Sequence, residues 1–328
     1  MNILIGVISP AAIWVMPRHF VDQLRRDFPH HTFLEAWDRD TLRRLLPDAD
    51  AAFTPFVDRD LFSSLTRLQW VQSPAVGVGN LMFPDLLASP VVITSARGIR
   101  ARAIAEHVLG VTIALARRLP HAIRAQAAHR WAQDELEGRC AGIRTLEGTR
   151  MGIVGLGAIG VEVAKIAAPF GMKISAIRRR AGRPIPEGVE DVWGPDRLLE
   201  LLAKSDVVLL AVPHTPETKR LIGGREVDAM KRGAFLINVA RGKLIDDEAV
   251  IAALKDGRLG GVALDVFTTE PLEPESPYWD LPNVIVTPHT SGAIDDYWTP
   301  LVALFAENLR RFESGRDLVN VVDKIAGY

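Results

Sequence analysis

The stretch MGIVGLGAIG, residues 151–160, constrains the fold of this chain more than any other. An apolar run leads directly into Gly155, Gly157 and Gly160, and a helical pattern follows directly after them. A strand, a glycine-rich turn and a helix in that order make the phosphate-binding unit of an open parallel sheet. Gly155 permits the tight turn, Gly157 lets the backbone approach a pyrophosphate, and Gly160 lets helix and strand pack closely. The helix entered through Ala158 and Ile159 would offer its unpaired N–H groups and positive dipole end to the anion. A dinucleotide is the expected ligand. The next apolar run, 173–177, stops where an acidic residue would ordinarily accept hydrogen bonds from a ribose 2′-hydroxyl, yet here it runs into Arg178, Arg179 and Arg180. Guanidinium groups bind a 2′-phosphate through charge-assisted forked bonds, whereas a carboxylate repels it. Arg178 and Arg179 are therefore the expected contacts, and NADP(H) is the expected coenzyme in preference to NAD(H). A solvated basic turn is the competing explanation.

The rest of the chain alternates short apolar runs with helical patterns, the signature of parallel sheets covered by helices. Strands are expected at 3–8, 32–37, 51–54, 68–72 and 91–95, then at 151–155, 173–177, 206–212, 234–239, 261–266 and 283–287. Intervening helices read at 17–28, 41–46, 158–170, 198–204, 225–230 and 246–255. A pattern at 101–119 is long enough to cross between domains. A final helix at 295–312 could return to the first domain and make it discontinuous. Residues 120–150 carry Gly138, Gly142 and Gly148 with no strand signal, as expected of an arm standing off the core. At roughly 100–200 residues per domain, 328 residues imply two domains of an α/β protein.

Lys+Arg total 39 against Asp+Glu 40, which leaves no basic footprint for nucleic acid. The single cysteine, Cys140, cannot form an internal disulfide or a thiolate cage, and no metal-ligand spacing appears. No stretch approaches the ~18 apolar residues of a membrane span, so neither a membrane nor nucleic acid is an expected partner. The first apolar run, 3–16, is read as a strand rather than a signal peptide, and a reducing, cytoplasmic setting is expected.

Three more segments sit at expected strand ends, where open α/β sheets bind ligands. They are NVARGKLIDD (238–247), LDVFTTEPLEP (264–274) and VIVTPHTSG (284–292). They bring a cation, Arg241, carboxylates, Asp265 and Glu270, and an imidazole, His289, which is the set required to reduce a 2-keto acid. Taken with GLGAIG, AVGVGN (75–80) and AEHVLG (105–110), these segments make the chain resemble the D-isomer-specific 2-hydroxyacid dehydrogenases over nearly its entire length.

The resemblance implies two doubly wound parallel-sheet domains: a dinucleotide domain of Rossmann type at 99–290, and a smaller flavodoxin-like substrate domain at 1–98 and 291–328. It further implies an active site in the cleft between them and a homodimer. Arg241 resembles the family arginine that engages the substrate carboxylate and polarises the carbonyl. His289 resembles the general acid of reduction, and Glu270 its partner, favouring the charged imidazole and holding the proton-bearing tautomer. Glu270 also sets the chain apart from the formate dehydrogenase branch, which the resemblance associates with Gln at that position. Val212, Pro213, Ala240, Asp265 and Gly292 join Gly155, Gly157, Ala158, Ile159, Gly160, Arg178 and Arg179 as expected cofactor contacts, with electrostatic tuning of the Glu270–His289 pair as the other reading of Asp265. Val76 and Gly77 are expected to present amides to the substrate carboxylate. Arg97 and Arg100 are read as surface residues, His107 as a core histidine, His214 as a residue beside the cofactor without chemistry, and Trp14, Tyr297 and Trp298 as packing residues. The expected activity is reduction of a glyoxylate- or hydroxypyruvate-like acid to a D-2-hydroxy acid by NADPH. A dinucleotide-sensing regulator on the same scaffold is the alternative.

Overall fold

The computed structural model describes residues 1–9, 15–137, 142–180, 182, 184–325 and 327, so Trp14 and Cys140 lie outside the described residues. The chain divides into two compact units, Met1–Ile99 with Ile294–Tyr328, and Arg100–Ala293.

The smaller unit holds a five-stranded parallel sheet of β1 (Asn2–Ile5), β2 (Thr32–Glu35), β3 (Ala51–Phe53), β4 (Trp70–Gln72) and β5 (Val92–Thr94), in the order β2-β1-β3-β4-β5. The central strand β3 is buried on both faces, as parallel strands covered by helices must be. Helix Arg18–Asp27 turns Phe20, Val21 and Leu24 inward as one stripe. The last helix, Trp298–Glu313, packs on the same sheet, where Phe305 stacks on Phe53 and Trp70 with centroids 4.7 and 5.2 Å apart.

The larger unit contains seven parallel strands: β6 (Arg150–Val154), β7 (Lys173–Ile177), β8 (Asp191–Trp193), β9 (Val207–Leu210), β10 (Ala234–Asn238), β11 (Leu259–Leu264) and β12 (Val284–Val286). Their order is β12-β11-β10-β9-β6-β7-β8, which reverses direction between β6 and β9 and opens a crevice there. Sequence patterning yields only six of these strands. The missing one, β8, is three residues long with an exposed first residue and two half-buried ones. At the sheet edge it needs no continuous apolar run, and Arg197 and Lys204 cover its Trp193 at 4.1 and 5.1 Å. By contrast, β10 is buried at all five positions.

Helix Ala101–Ala116 lies against helix Ala158–Ala167, sharing a core of Ala105, Val108, Val163, Ala164 and Ala167. Beyond it, helices Leu119–Ala127 and Gln133–Glu137 contribute little to that core: Ile123 and Trp131 are 61% and 90% exposed. The arm rejoins the unit at Arg144, whose amide donates to the Ala116 carbonyl and whose guanidinium covers Phe235. Among the described residues, no helix is long and apolar enough to cross a membrane.

Candidate active site

Sheet register aligns the ends of the strands. Val286, Leu264, Asn238, Leu210, Val154, Ile177 and Trp193 pair successively across the seven strands. His289, Asp265, Arg241, Val212, Gly155 and Arg178 each follow their strand's member of that row by one to three residues. Six segments dispersed over more than a hundred residues of chain therefore emerge on one edge of one sheet.

At the crevice, the three glycines behave differently. A Cβ on Gly155 would lie 2.5 Å from the Ala211 carbonyl oxygen, and one on Gly160 would lie 2.5 Å from that of Gly155. Both contacts are with backbone, which cannot swing aside, and Gly155 also has φ +108°. A Cβ on Gly157 would meet nothing within 4 Å. Gly157 directly precedes helix Ala158–Ala167, which has no side-chain cap and no acidic residue in its first turn. The uncapped amides and the open backbone face above them suit a pyrophosphate. Ala158 and Ile159 form the first helical positions there.

Val212 and Pro213 are half-buried after β9, and the Pro213 carbonyl accepts from Thr218 Oγ1 at 2.7 Å. After β7, Arg178 donates its amide to the Trp193 carbonyl and a guanidinium N–H to Pro184, at 3.0 and 3.1 Å. It thereby shapes the turn on which Arg179 and Arg180 are exposed. His214 is also exposed.

After β10, the buried Asn238 builds the turn that presents Arg241. Its amide oxygen accepts from the Ala240 N–H and its amide nitrogen donates to the Arg241 carbonyl, at 3.1 and 2.9 Å. Ala240 is itself buried, and its carbonyl accepts from the Arg241 guanidinium at 2.6 Å. Next comes Gly242, where a Cβ would fall 1.9 Å from the Phe267 carbonyl carbon. The backbone after Arg241 therefore presses directly on the loop that carries Glu270.

That loop supplies the imidazole's partner. Glu270 Oε2 lies 2.8 Å from His289 Nδ1, while Oε1 accepts from the Phe267 amide at 2.9 Å. Partial burial pushes the Glu270 carboxyl upward, but the bonds from His289 and Phe267 and the charges of His289 and Arg241 outweigh it and hold the group below its ordinary value. With Nδ1 engaged by a carboxylate, Nε2 is the ring nitrogen left to exchange a proton with a ligand. Among the described residues it has no hydrogen-bond partner.

Asp265, expected either to contact the cofactor or to tune the His289–Glu270 pair, is bonded to the loop that carries His289. It is 1% exposed and aims its carboxylate at the His289 loop. Oδ1 accepts from Thr287 Oγ1, the Thr290 amide and the Ser291 amide at 2.6, 2.9 and 3.1 Å, and Oδ2 accepts from the Ser291 amide at 3.0 Å. The His289 amide donates to the Asp265 carbonyl as well. These bonds surround a residue held at φ +56°. His107, read from sequence as a core residue, reaches this network with Nε2 3.5 Å from Thr287 Oγ1. Burial lowers its tendency to protonate, and the Asp265 charge opposes that only in part. Its place in AEHVLG was the available signal. Gly292 ends the loop, and a Cβ there would lie 3.1 Å from Arg100 Cδ.

In the smaller unit, the 75–77 segment is exposed between fixed ends. Ser73 Oγ accepts from the Ala75 amide, the Ala75 carbonyl accepts from Ala96, Tyr297 donates its hydroxyl to the Pro74 carbonyl, and Val78 is buried. Among the described residues, the amides of Val76 and Gly77 donate no hydrogen bond. Arg97 is exposed beside Asn320, and Trp298 packs edge-on against Tyr297.

A crevice built to hold a dinucleotide, next to an imidazole backed by a carboxylate and a nearby guanidinium, places the protein among the NAD(P)-dependent oxidoreductases. Residues 109–291 match the family described as D-isomer specific 2-hydroxyacid dehydrogenase, NAD binding domain, and the chain belongs to that family. It is 34% identical over 316 residues to a glyoxylate reductase of Thermococcus gammatolerans, with 94% of each chain covered. The fold is similar to that of a D-isomer specific 2-hydroxyacid dehydrogenase from Xanthobacter autotrophicus Py2, solved with NADPH and MES, at TM-score 0.81, 30% identity and 99% of each chain. It is also similar to the NADPH-dependent glyoxylate/hydroxypyruvate reductase of Sinorhizobium meliloti, solved with NADP and sulfate, at TM-score 0.79 and 27% identity, covering 100% of this chain and 99% of that one.

Proposed function

We propose that the protein reduces a small 2-keto acid of the glyoxylate or hydroxypyruvate type to the corresponding 2-hydroxy acid, the D isomer where the product is chiral, with NADPH as the preferred coenzyme. The observation that carries this reading is the 2.8 Å His289–Glu270 pair within the electrostatic reach of Arg241, on the sheet edge that also bears the glycine loop. When bound, a reduced nicotinamide would provide the hydride for the carbonyl carbon. Arg241 binds the substrate carboxylate with its fork and draws electron density toward the carbonyl oxygen. His289 delivers the proton from Nε2 to that oxygen as the carbon–oxygen π bond opens, and Glu270 compensates the imidazolium throughout. Keto acid, hydride and one proton balance to hydroxy acid and oxidised coenzyme. Asp265 and Asn238 position the imidazole and the guanidinium rather than reacting.

For the coenzyme, the glycine loop with Ala158 and Ile159 would hold the pyrophosphate, Val212, Pro213, Ala240 and Gly292 would contribute contacts, and Arg178 and Arg179 would bind a 2′-phosphate. Support comes from the absence of an acidic residue at the end of β7 and from two similar structures solved with NADPH or NADP. In the smaller unit, the amides of Val76 and Gly77 are suited to an anion. The homodimer is proposed with the exposed Ile123 and Trp131 arm as its contact.

Steady-state assays of glyoxylate and hydroxypyruvate with each coenzyme test the whole reading. Turnover with NADPH exceeding that with NADH is expected, and His289→Ala should abolish most of it. Equal or better use of NADH overturns the coenzyme assignment. Inactivity toward all keto acids despite tight dinucleotide binding overturns the enzymatic one in favour of a sensor.

A further inference from the structure

The smaller unit contains a cluster that the proposed reaction does not use. His30 and His31 lie in the turn between helix Arg18–Asp27 and β2, and Glu313 ends the last helix, 283 residues from His30. The two imidazoles converge on a single carboxylate oxygen. His30 Nε2 is 2.6 Å from Glu313 Oε1, and His31 Nε2 contacts the same atom. We propose that His30 Nε2, His31 Nε2 and a Glu313 carboxylate oxygen bind one divalent cation of the zinc class.

Three features carry the assignment. First, the ligand atoms all lie within 4.8 Å of one another, and two imidazole nitrogens with a carboxylate form a set that suits zinc and its borderline neighbours. Second, His31 Nε2, on a side chain only 4% exposed, is held directly against Glu313 Oε1, so one imidazole nitrogen of the set is already desolvated and aimed at the carboxylate. Third, the ring of His31 is fixed: it stacks at 7° to Phe28, and its amide donates to the Phe28 carbonyl at 3.1 Å.

A tetrahedral ion with ligands at ~2.0–2.2 Å would spread these atoms to roughly 3.3 Å apart. The carboxylate of Glu313 must therefore withdraw by about 1 Å, a movement open to a side chain with three rotatable bonds. The Met1 amine lies 3.4 Å from His31 Nδ1 and would turn aside as the proton settles on that nitrogen. Occupied, the site would clamp the turn before β2 to the final helix and leave one position for water.

Calorimetric titration of the chelator-treated full chain with zinc sulfate tests the proposal. One equivalent per chain is expected, with thermal unfolding shifted upward by zinc. His30→Gln and Glu313→Gln alter exposed or partly exposed side chains, so both variants should fold. Each should weaken zinc binding on the order of a hundredfold and lose the thermal shift, whereas His289→Ala should leave both intact. No binding at roughly 100 μM zinc overturns the proposal, as does binding unchanged in both variants.

Discussion

Asp265→Asn is the sharpest test of how this site is held. The buried carboxylate receives one hydroxyl and two amide donors from the loop around His289. Asparagine fits the space but removes the charge, and its NH2 group takes the place of one oxygen opposite the Ser291 amide. Hydrogen bonds to a charged acceptor contribute about 1.5–3 kcal/mol against about 0.5–1.5 for neutral ones, so three donors lose roughly 1 kcal/mol each. The opposed N–H groups bring the local cost to about 3–4 kcal/mol. Part of that cost should appear as a global loss of about 1–3 kcal/mol in urea unfolding. The remainder should free the loop, displace Nε2 and lower kcat with NADPH and glyoxylate by about 10- to 100-fold, since 1.4 kcal/mol is a factor of ten. The dinucleotide Kd, followed by nicotinamide fluorescence, should move by less than about threefold. If coenzyme affinity collapses while kcat survives, Asp265 is a cofactor contact, and its assignment as the anchor of His289 is wrong.

Gly157→Ala should unfold within about 0.5 kcal/mol of the parent yet bind dinucleotide at least tenfold more weakly, because its methyl fills only the space kept for phosphate. Gly155→Ala and Gly160→Ala should instead lose about 1–3 kcal/mol or more of stability, and a normal urea midpoint for either would contradict the backbone contacts. Glu270 is held below its ordinary carboxyl value, so its contribution to stability is complete above about pH 4.3 and is lost as pH falls through the lower folded-state value. Glu270→Gln should accordingly flatten the acid limb of stability between about pH 5 and 3, modestly because the side chain is 37% exposed; an unaltered acid limb counts against the pairing. Phe305→Ala, deleting a ring stacked between Phe53 and Trp70, should cost about 3–5 kcal/mol in chemical denaturation, and a loss below about 1 kcal/mol would mean that the last helix is not integral to the smaller unit.

Amino-acid order alone determined everything whose cause is local. The apolar run into Gly155, Gly157 and Gly160 declares a strand, a turn and a helix because neighbouring residues carry each signal. The same holds for the buried parallel strands, which read as unbroken apolar runs, and for the segments bearing Arg241, Glu270 and His289. The edge strand β8 escaped because exposure on one flank removes the pattern that reveals its neighbours.

Tertiary structure alone decided which of those residues meet. Register across the parallel sheet brings Asp265 to the Thr287–Ser291 loop, and it presses Gly242 against Phe267. Asn238 is an ordinary strand-ending residue in sequence, yet it proves to hold both sides of the Arg241 turn. His30 and His31 acquire Glu313 only when the last helix packs on the first sheet. Hydrogen bonds and ion pairs act over a few ångströms, so partners far apart along the chain are selected by how sheets and helices stack, and no local propensity records that choice.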